Sequence, residues 1–164
     1  MLKVKVMIIY MTHHDCAEKA AKMLKDRLGE GAEVVNLKKN GPVRLEDYDT
    51  VIIGGSIHAG QVQRKLRKFC EKNRMILVRK NLGLYLCCME EGEKAQVQFD
   101  AAFDEVLRNH ATAQGLFGGE FDFSRMNFLE KKVIKKVADI TESVSKIDES
   151  KIARFVESIS GATE

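Results

Sequence analysis

"KVKVMIIYMTHHDCAEKAA", residues 3–21, is the stretch on which the reading of the chain turns. Its first part, Lys3 to Tyr10, ends in a nearly continuous apolar run. Such a run suits a strand buried on both faces of a parallel sheet. From Cys16 to Leu28 the period changes. Ala17, Ala20, Ala21, Leu24 and Leu28 fall on one helix face. A strand-to-helix junction often cradles a phosphate with glycines and hydroxyls. Here it holds Thr12, His13, His14, Asp15 and Cys16.

The alternation continues outward. Gly29 and Gly31 end the first helix, and Ala32 to Leu37 is a short second strand. Asp49 to Ser56 is a third buried strand ending in a glycine pair. Val62 to Asn73 reads as an amphipathic helix burying Val62, Leu66, Phe69 and Cys70. A strand over Asn81 to Met89, a helix over Glu93 to Leu107 and a strand over Ala111 to Phe121 follow. A basic helix over Asn127 to Ile140 and a closing helix over Asp148 to Ser160 complete the order. This pattern predicts an α/β fold, a doubly wound parallel sheet with helices on both faces. Ligands bind such sheets at the carboxyl ends of the strands, near the switch in strand order. The loops to inspect are therefore Met11 to Cys16, Gly54 to Gln61 and Met89 to Gly92.

The bulk properties bound the function. A length of 164 residues suits one domain, spanning 1–164. A net charge of +3 is too small to argue for nucleic acid. No apolar run is long enough to span a membrane, and the opening residues read as a strand and not a signal peptide. Cys16, Cys70, Cys87 and Cys88 show no C-x-x-C spacing, and a disulfide between neighbours is strained. Free thiols in a reducing, cytoplasmic setting are expected.

Three stretches resemble the flavodoxin-like superfamily: "YDTVIIGGSIHAGQVQRKLRKFCEKN" (48–73), "LYLCCMEEGEKA" (84–95) and "GLFGGEFDFSRMNFLEKKVIKKV" (115–137). The nearest branch is similar to the flavodoxin-domain proteins related to menaquinone-dependent protoporphyrinogen IX dehydrogenase. The resemblance implies a three-layer fold around a five-stranded parallel sheet of order 2-1-3-4-5. It also implies FMN held non-covalently at the strand ends. By that resemblance the cofactor-binding residues are Thr12, His13, His14, Asp15, Cys16 and Ala17 around the phosphate. Ser56, Ile57, His58, Ala59 and Gly60, with Met89, Glu90, Glu91 and Gly92, flank the flavin ring. No catalytic side chain and no metal ligand set is assigned.

The first loop departs from the family pattern of Gly, Ser/Thr, x, x, Gly, x, Thr after the aromatic at Tyr10. Only Thr12 keeps a hydroxyl. Asp15 and Glu18 have capping-box spacing, which would satisfy the helix amides that a phosphate needs. Against this, a protonated His13 or His14 is a cationic donor. Three readings stand for this loop: a modified phosphate cradle, a self-capped helix start with solvated histidines, and a metal site. Convergence of consecutive residues on one ion is difficult, which counts against the third.

In the second loop His58 stands where the family often has an aromatic, so it is either a stacking imidazole or an exposed loop residue. In the third, Glu90 and Glu91 would place negative charge beside a flavin. Cys87 and Cys88 read as buried strand residues before redox thiols. Lys131, Lys132, Lys135 and Lys136 make the basic face of the helix over 128–140. That face is either solvated or docks an acidic redox partner or a membrane surface. The functional expectations are an FMN redox protein, a flavodoxin-fold module that has lost FMN, and a protoporphyrinogen IX dehydrogenase. The partners expected are a redox protein or a small-molecule or quinone acceptor. An FMN-dependent oxidoreductase is the enzyme class this would imply.

Overall fold

A computed structural model describes residues 4–12, 16–39, 43–57, 61–121, 144–145 and 147–161. Four strands, β1 (Val6–Tyr10), β2 (Ala32–Asn36), β3 (Thr50–Ser56) and β4 (Asn81–Cys87), join β5 (Ala113–Leu116) in one sheet. Its order is β2-β1-β3-β4-β5, and every pairing is parallel. This is the expected 2-1-3-4-5 arrangement.

The strand sequences explain the layering. Alternate side chains of a strand point to opposite faces. Val6, Ile8, Tyr10, Ile52 and Tyr85 pack on one face with Ala17, Ala20, Ala21 and Leu24 of α1 (Cys16–Leu28). Ile152, Phe155 and Ile159 of the last helix, α6 (Glu149–Gly161), join them. Met7, Ile9, Val51, Ile53, Leu82, Leu84 and Leu86 pack on the other face. That face is covered by α2 (Arg64–Lys72), α3 (Arg74–Leu77), α4 (Gly92–Ala102) and α5 (Glu105–His110). With apolar side chains needed on both sides, the strands read as continuous hydrophobic runs.

Three element boundaries differ from the sequence reading. The helix expected over 93–107 is two helices, α4 and α5. Phe103 leaves helical geometry, and Asp104 caps the new start by accepting from the Leu107 amide at 2.9 Å. The strand expected over 111–121 stops at Leu116. Gly118 takes φ +87°, and β6 (Glu120–Phe121) pairs antiparallel with β7 (Val144–Ser145) in a separate small sheet. The helix expected from Val62 begins at Arg64, breaks at Asn73 and resumes as α3; Phe69 is half-buried. The basic helix expected over 127–140 lies outside the described residues.

One contact ties the layers together. Tyr85 stands opposite Gly54 in the parallel register, and its ring lies directly over that glycine. A Cβ at position 54 would sit 1.8 Å from Tyr85 Cζ. The Tyr85 hydroxyl then donates to the carbonyl of Ala17 in the first turn of α1, at 2.8 Å and fully buried. The ring also stacks on Phe117, with centroids 5.0 Å apart.

Gly54→Ala is therefore expected to cost about 3 kcal/mol or more in urea unfolding, because a packed ring and backbone must move. Gly29 makes the internal comparison. It ends α1 at φ +89° with open space around it, so Gly29→Ala should cost only about 1–2 kcal/mol of backbone strain. Equal costs at the two positions would contradict the packing role of Gly54.

Candidate functional site

The chain passes from β1 through α1 on one face, and from β3 through α2 on the other. Adjacent strands whose connections diverge in this way leave a crevice between their carboxyl ends. Thr12 follows β1 and Ser56 closes β3. Their hydroxyls hydrogen-bond at 3.3 Å, so the first and second loops meet at that crevice. Gln63, just before α2, supports Ser56 from below. Its side-chain amide donates to Ser56 Oγ at 3.2 Å, and its Oε1 accepts from the Ser56 amide at 3.5 Å.

The third loop is tied to the second. The Ile57 amide donates to the Cys87 carbonyl at 2.9 Å. The Cys88 amide donates to the Gly118 carbonyl at 2.9 Å, which draws the turn after β5 against the loop. Gly119 approaches so closely that a Cβ there would lie 2.7 Å from Met89 Sδ. Beyond Cys88 the chain opens. Glu90, Glu91 and Gly92 are exposed and Met89 is half-buried. Among the described residues, the amides of Thr12 and of 89–92 donate no hydrogen bond. Glu91 precedes α4 with no side-chain cap, and Gly92 takes φ +61° at the helix start. The edge thus carries two hydroxyls and, at 89–92, backbone N–H groups that donate to no other described residue, with carboxylates at 90 and 91.

The start of α1 is packed inward. Cys16 and Ala17 are buried in the core, so Ala17 reaches the edge only through its backbone. Tyr10 sits beneath, its phenol beside Glu18 and Asn36. Burial, then the Glu18 carboxylate, pushes its phenol up to about 12. Glu18 also pairs with Lys22 at 3.4 Å. Of the expected capping box, Glu18 is held by these two partners. Asp15, with His13 and His14, lies outside the described residues, as do His58, Ala59 and Gly60 of the second loop. Among the described residues no cluster of three or more His, Cys, Asp or Glu is arranged to hold a metal ion.

All four cysteines are reduced and buried. Burial pushes the Cys70 thiol up to about 12 and the Cys88 thiol up to about 11. The Cys88 sulfur rests 3.7 Å from the Glu90 carbonyl, as its donor. These are the surroundings of packing thiols. Two residues that support the edge, Gln63 and Tyr85, were not singled out from sequence. Gln63 reads as a polar helix residue, and Tyr85 as one apolar member of a strand. Only their cross-chain contacts show what they hold.

The chain matches the family model of the flavodoxin domain over residues 7–148. It belongs to that family. A curated relative, an uncharacterized protein of Methanocaldococcus jannaschii, is 35% identical over 69 residues. That match covers 42% of this chain and 45% of the relative, so it spans about half the length of either. The rubredoxin oxygen:oxidoreductase of Desulfovibrio gigas superposes with a TM-score of 0.54 at 16% identity, over 94% of this chain and 36% of that one. A short-chain flavodoxin associated with a non-canonical PDU bacterial microcompartment gives a TM-score of 0.61 at 14% identity, over 99% and 100% of the two chains. A mutant flavodoxin of Fusobacterium nucleatum bound to flavin mononucleotide gives 0.54 at 13% identity, over 96% of each. At these identities the superpositions speak for the flavodoxin fold.

In the flavodoxin-domain protein at pH 8, a chromogenic disulfide reagent should react with fewer than one thiol per chain within minutes. Unfolding in denaturant should release all four. Prompt reaction of Cys88 in the native protein would contradict a packing role.

Proposed function

We propose that this flavodoxin-domain protein binds FMN at the carboxyl edge of the sheet and works as a redox protein. It would carry electrons between partners or oxidise a small substrate. The observation that carries the reading is the meeting of Thr12 and Ser56 hydroxyls at 3.3 Å, at the β1/β3 crevice. The available amides of 89–92 supply a second set of donors at the same edge. Bound FMN would supply one- and two-electron chemistry; the chain would bind, orient and tune it.

The residues fit the group in distinct roles. Thr12 and Ser56 hydroxyls and the N-terminal end of α1 are the donors suited to the phosphate. The backbone of 57 and 89–92 is suited to the polar edge of a flat ring. Glu90 and Glu91 disfavour added negative charge nearby, so they would hold the reduced state less tightly when anionic. Gln63 keeps the Ser56 hydroxyl in place. A relation to menaquinone-dependent protoporphyrinogen IX dehydrogenase, implied by the resemblance of residues 48–73, 84–95 and 115–137, would make a quinone the acceptor and a porphyrinogen one small substrate to assay.

A second reading, a module without FMN, is favoured by one feature. The first loop has Met11 and Asp15 where the family has glycines and Ala17 where it has threonine, and Ala17 is buried.

Titration of the purified protein with FMN, followed by flavin fluorescence and visible absorbance, separates the two. The redox reading predicts micromolar or tighter binding, weakened about tenfold in Thr12→Ala/Ser56→Ala through loss of two donors. A colourless protein that leaves FMN fluorescence unchanged would establish the second reading.

A further inference from the structure

The charge of this chain is unevenly placed. Residues 61–80 contain eight Lys and Arg against one acid, Glu71, a local charge of +7. The whole chain carries +3, so the other 144 residues together carry −4. The cations lie on α2, on α3 and just beyond it. Arg64, Lys65, Arg67, Lys68 and Lys72 of α2 are all exposed, as is Arg79 beyond α3. Among the described residues none of these six forms an ion pair or a side-chain hydrogen bond. Arg74 differs, bound to Asp104 at 2.7 Å, and Lys80 reaches the Glu46 carbonyl at 3.5 Å.

This placement opposes local helix stability. The N-terminal turn of a helix favours anions. Helices α1, α4, α5 and α6 each carry an acid in that turn, Glu18, Glu93, Glu105 and Glu149. Helix α2 carries none and opens with Arg64 and Lys65 instead, after a Gln63 whose side chain makes no capping bond to the helix. The dipole and the cations therefore add to one positive field. It begins beside the crevice, because Gln63 is bonded to Ser56.

We propose that the exposed face of α2 is the docking surface for an acidic electron-transfer protein, delivered to the crevice edge by charge complementarity. The partner's role rests on the redox reading above; the docking itself does not require bound flavin. Charge-guided encounter suits transient redox partners, since it raises association rates and gives way to salt. The surface suits other polyanions less well. No exposed aromatic stands on α2 or α3 to stack on bases. The apolar side of α2, Leu66 and Cys70, is buried against the sheet, which leaves Met75 of α3 as the large apolar side chain exposed on this surface, too little apolar area to insert into lipid.

The test uses the full chain and a small acidic ferredoxin as probe, with binding measured by calorimetry at about 20 mM and about 200 mM salt. The double reversal Lys65→Glu/Lys68→Glu is compared with Lys5→Glu/Arg27→Glu, a pair with the same change in net charge but off the α2–α3 surface. The expected result is binding that falls about tenfold with added salt and about tenfold in the α2 variant, with the control within about twofold of wild type. The α2 variant should keep or raise its melting temperature, because Lys65→Glu places an acid in the first turn of the helix. FMN titrated in parallel should respond identically in all three proteins. Absence of FMN binding in all three would remove the redox role while leaving the docking measured. No binding of the ferredoxin at low salt would overturn the proposal. So would equal weakening by both reversals, or tighter binding of single-stranded DNA or phosphatidylglycerol vesicles under the same conditions.

Discussion

The buried hydrogen bond from Tyr85 to the Ala17 carbonyl holds the parts of this molecule in relation to one another. It begins on a central strand, crosses the neighbouring strand and ends in the first turn of α1. The crossing is possible because position 54 has no side chain. A donor placed in a dry core is costly to leave unpaired, so the bond fixes where α1 must start. That start is the point at which the chain leaves β1 and turns into the crevice. Phe117, just past the end of β5, and Phe155 on α6 close around the same ring. The ring thus couples β4, β3, α1, α6 and the turn after β5 through one set of contacts.

The candidate site follows from this scaffold. With α1 fixed on one face and α2 on the other, β1 and β3 end side by side, the topology that leaves a crevice at their carboxyl ends. Thr12 and Ser56 bring their hydroxyls together there, and Gln63 braces Ser56 from the α2 side. The third loop closes the flank through Ile57, Cys88 and the close approach of Gly119 to Met89. The electrostatic character of the rim is divided, acidic at 90–91 and 93 and basic along α2. The buried thiols add packing to this arrangement, with no exposed sulfur among them.

Much of the fold was legible because its strands must be apolar on both faces. The runs ending at Tyr10 and Ser56, and "LYLCC" at 84–88, show that requirement without tertiary information. The 3.6-residue period of Ala17, Ala20, Ala21 and Leu24 does the same for α1. The departures have local chemical causes. Asp104 restarts a helix because its carboxylate can reach the Leu107 amide, a signal present in the sequence but hidden within an apolar period that runs through it. The strand at 113 stops because the glycines at 118 and 119 turn the chain toward the third loop. The crevice loops were legible as the carboxyl ends of strands. The bracing of Ser56 by Gln63 and the role of Tyr85 were not, since each depends on which side chain a folded neighbour leaves room for. The significance of the α2 charges was hidden for a related reason: a basic amphipathic helix looks solvated until its lack of ion pairs among the described residues and its place beside Ser56 are known.

The most direct test of the whole account is a map of backbone amide shifts on the isotope-labelled protein as FMN is added. Saturable shifts are expected at Thr12, Ser56, Ile57 and 89–92, with the amides of α5 and of the amino ends of the strands unchanged. Saturable shifts centred elsewhere, or none at FMN concentrations well above micromolar, would contradict the assignment of the β1/β3 crevice as the cofactor site.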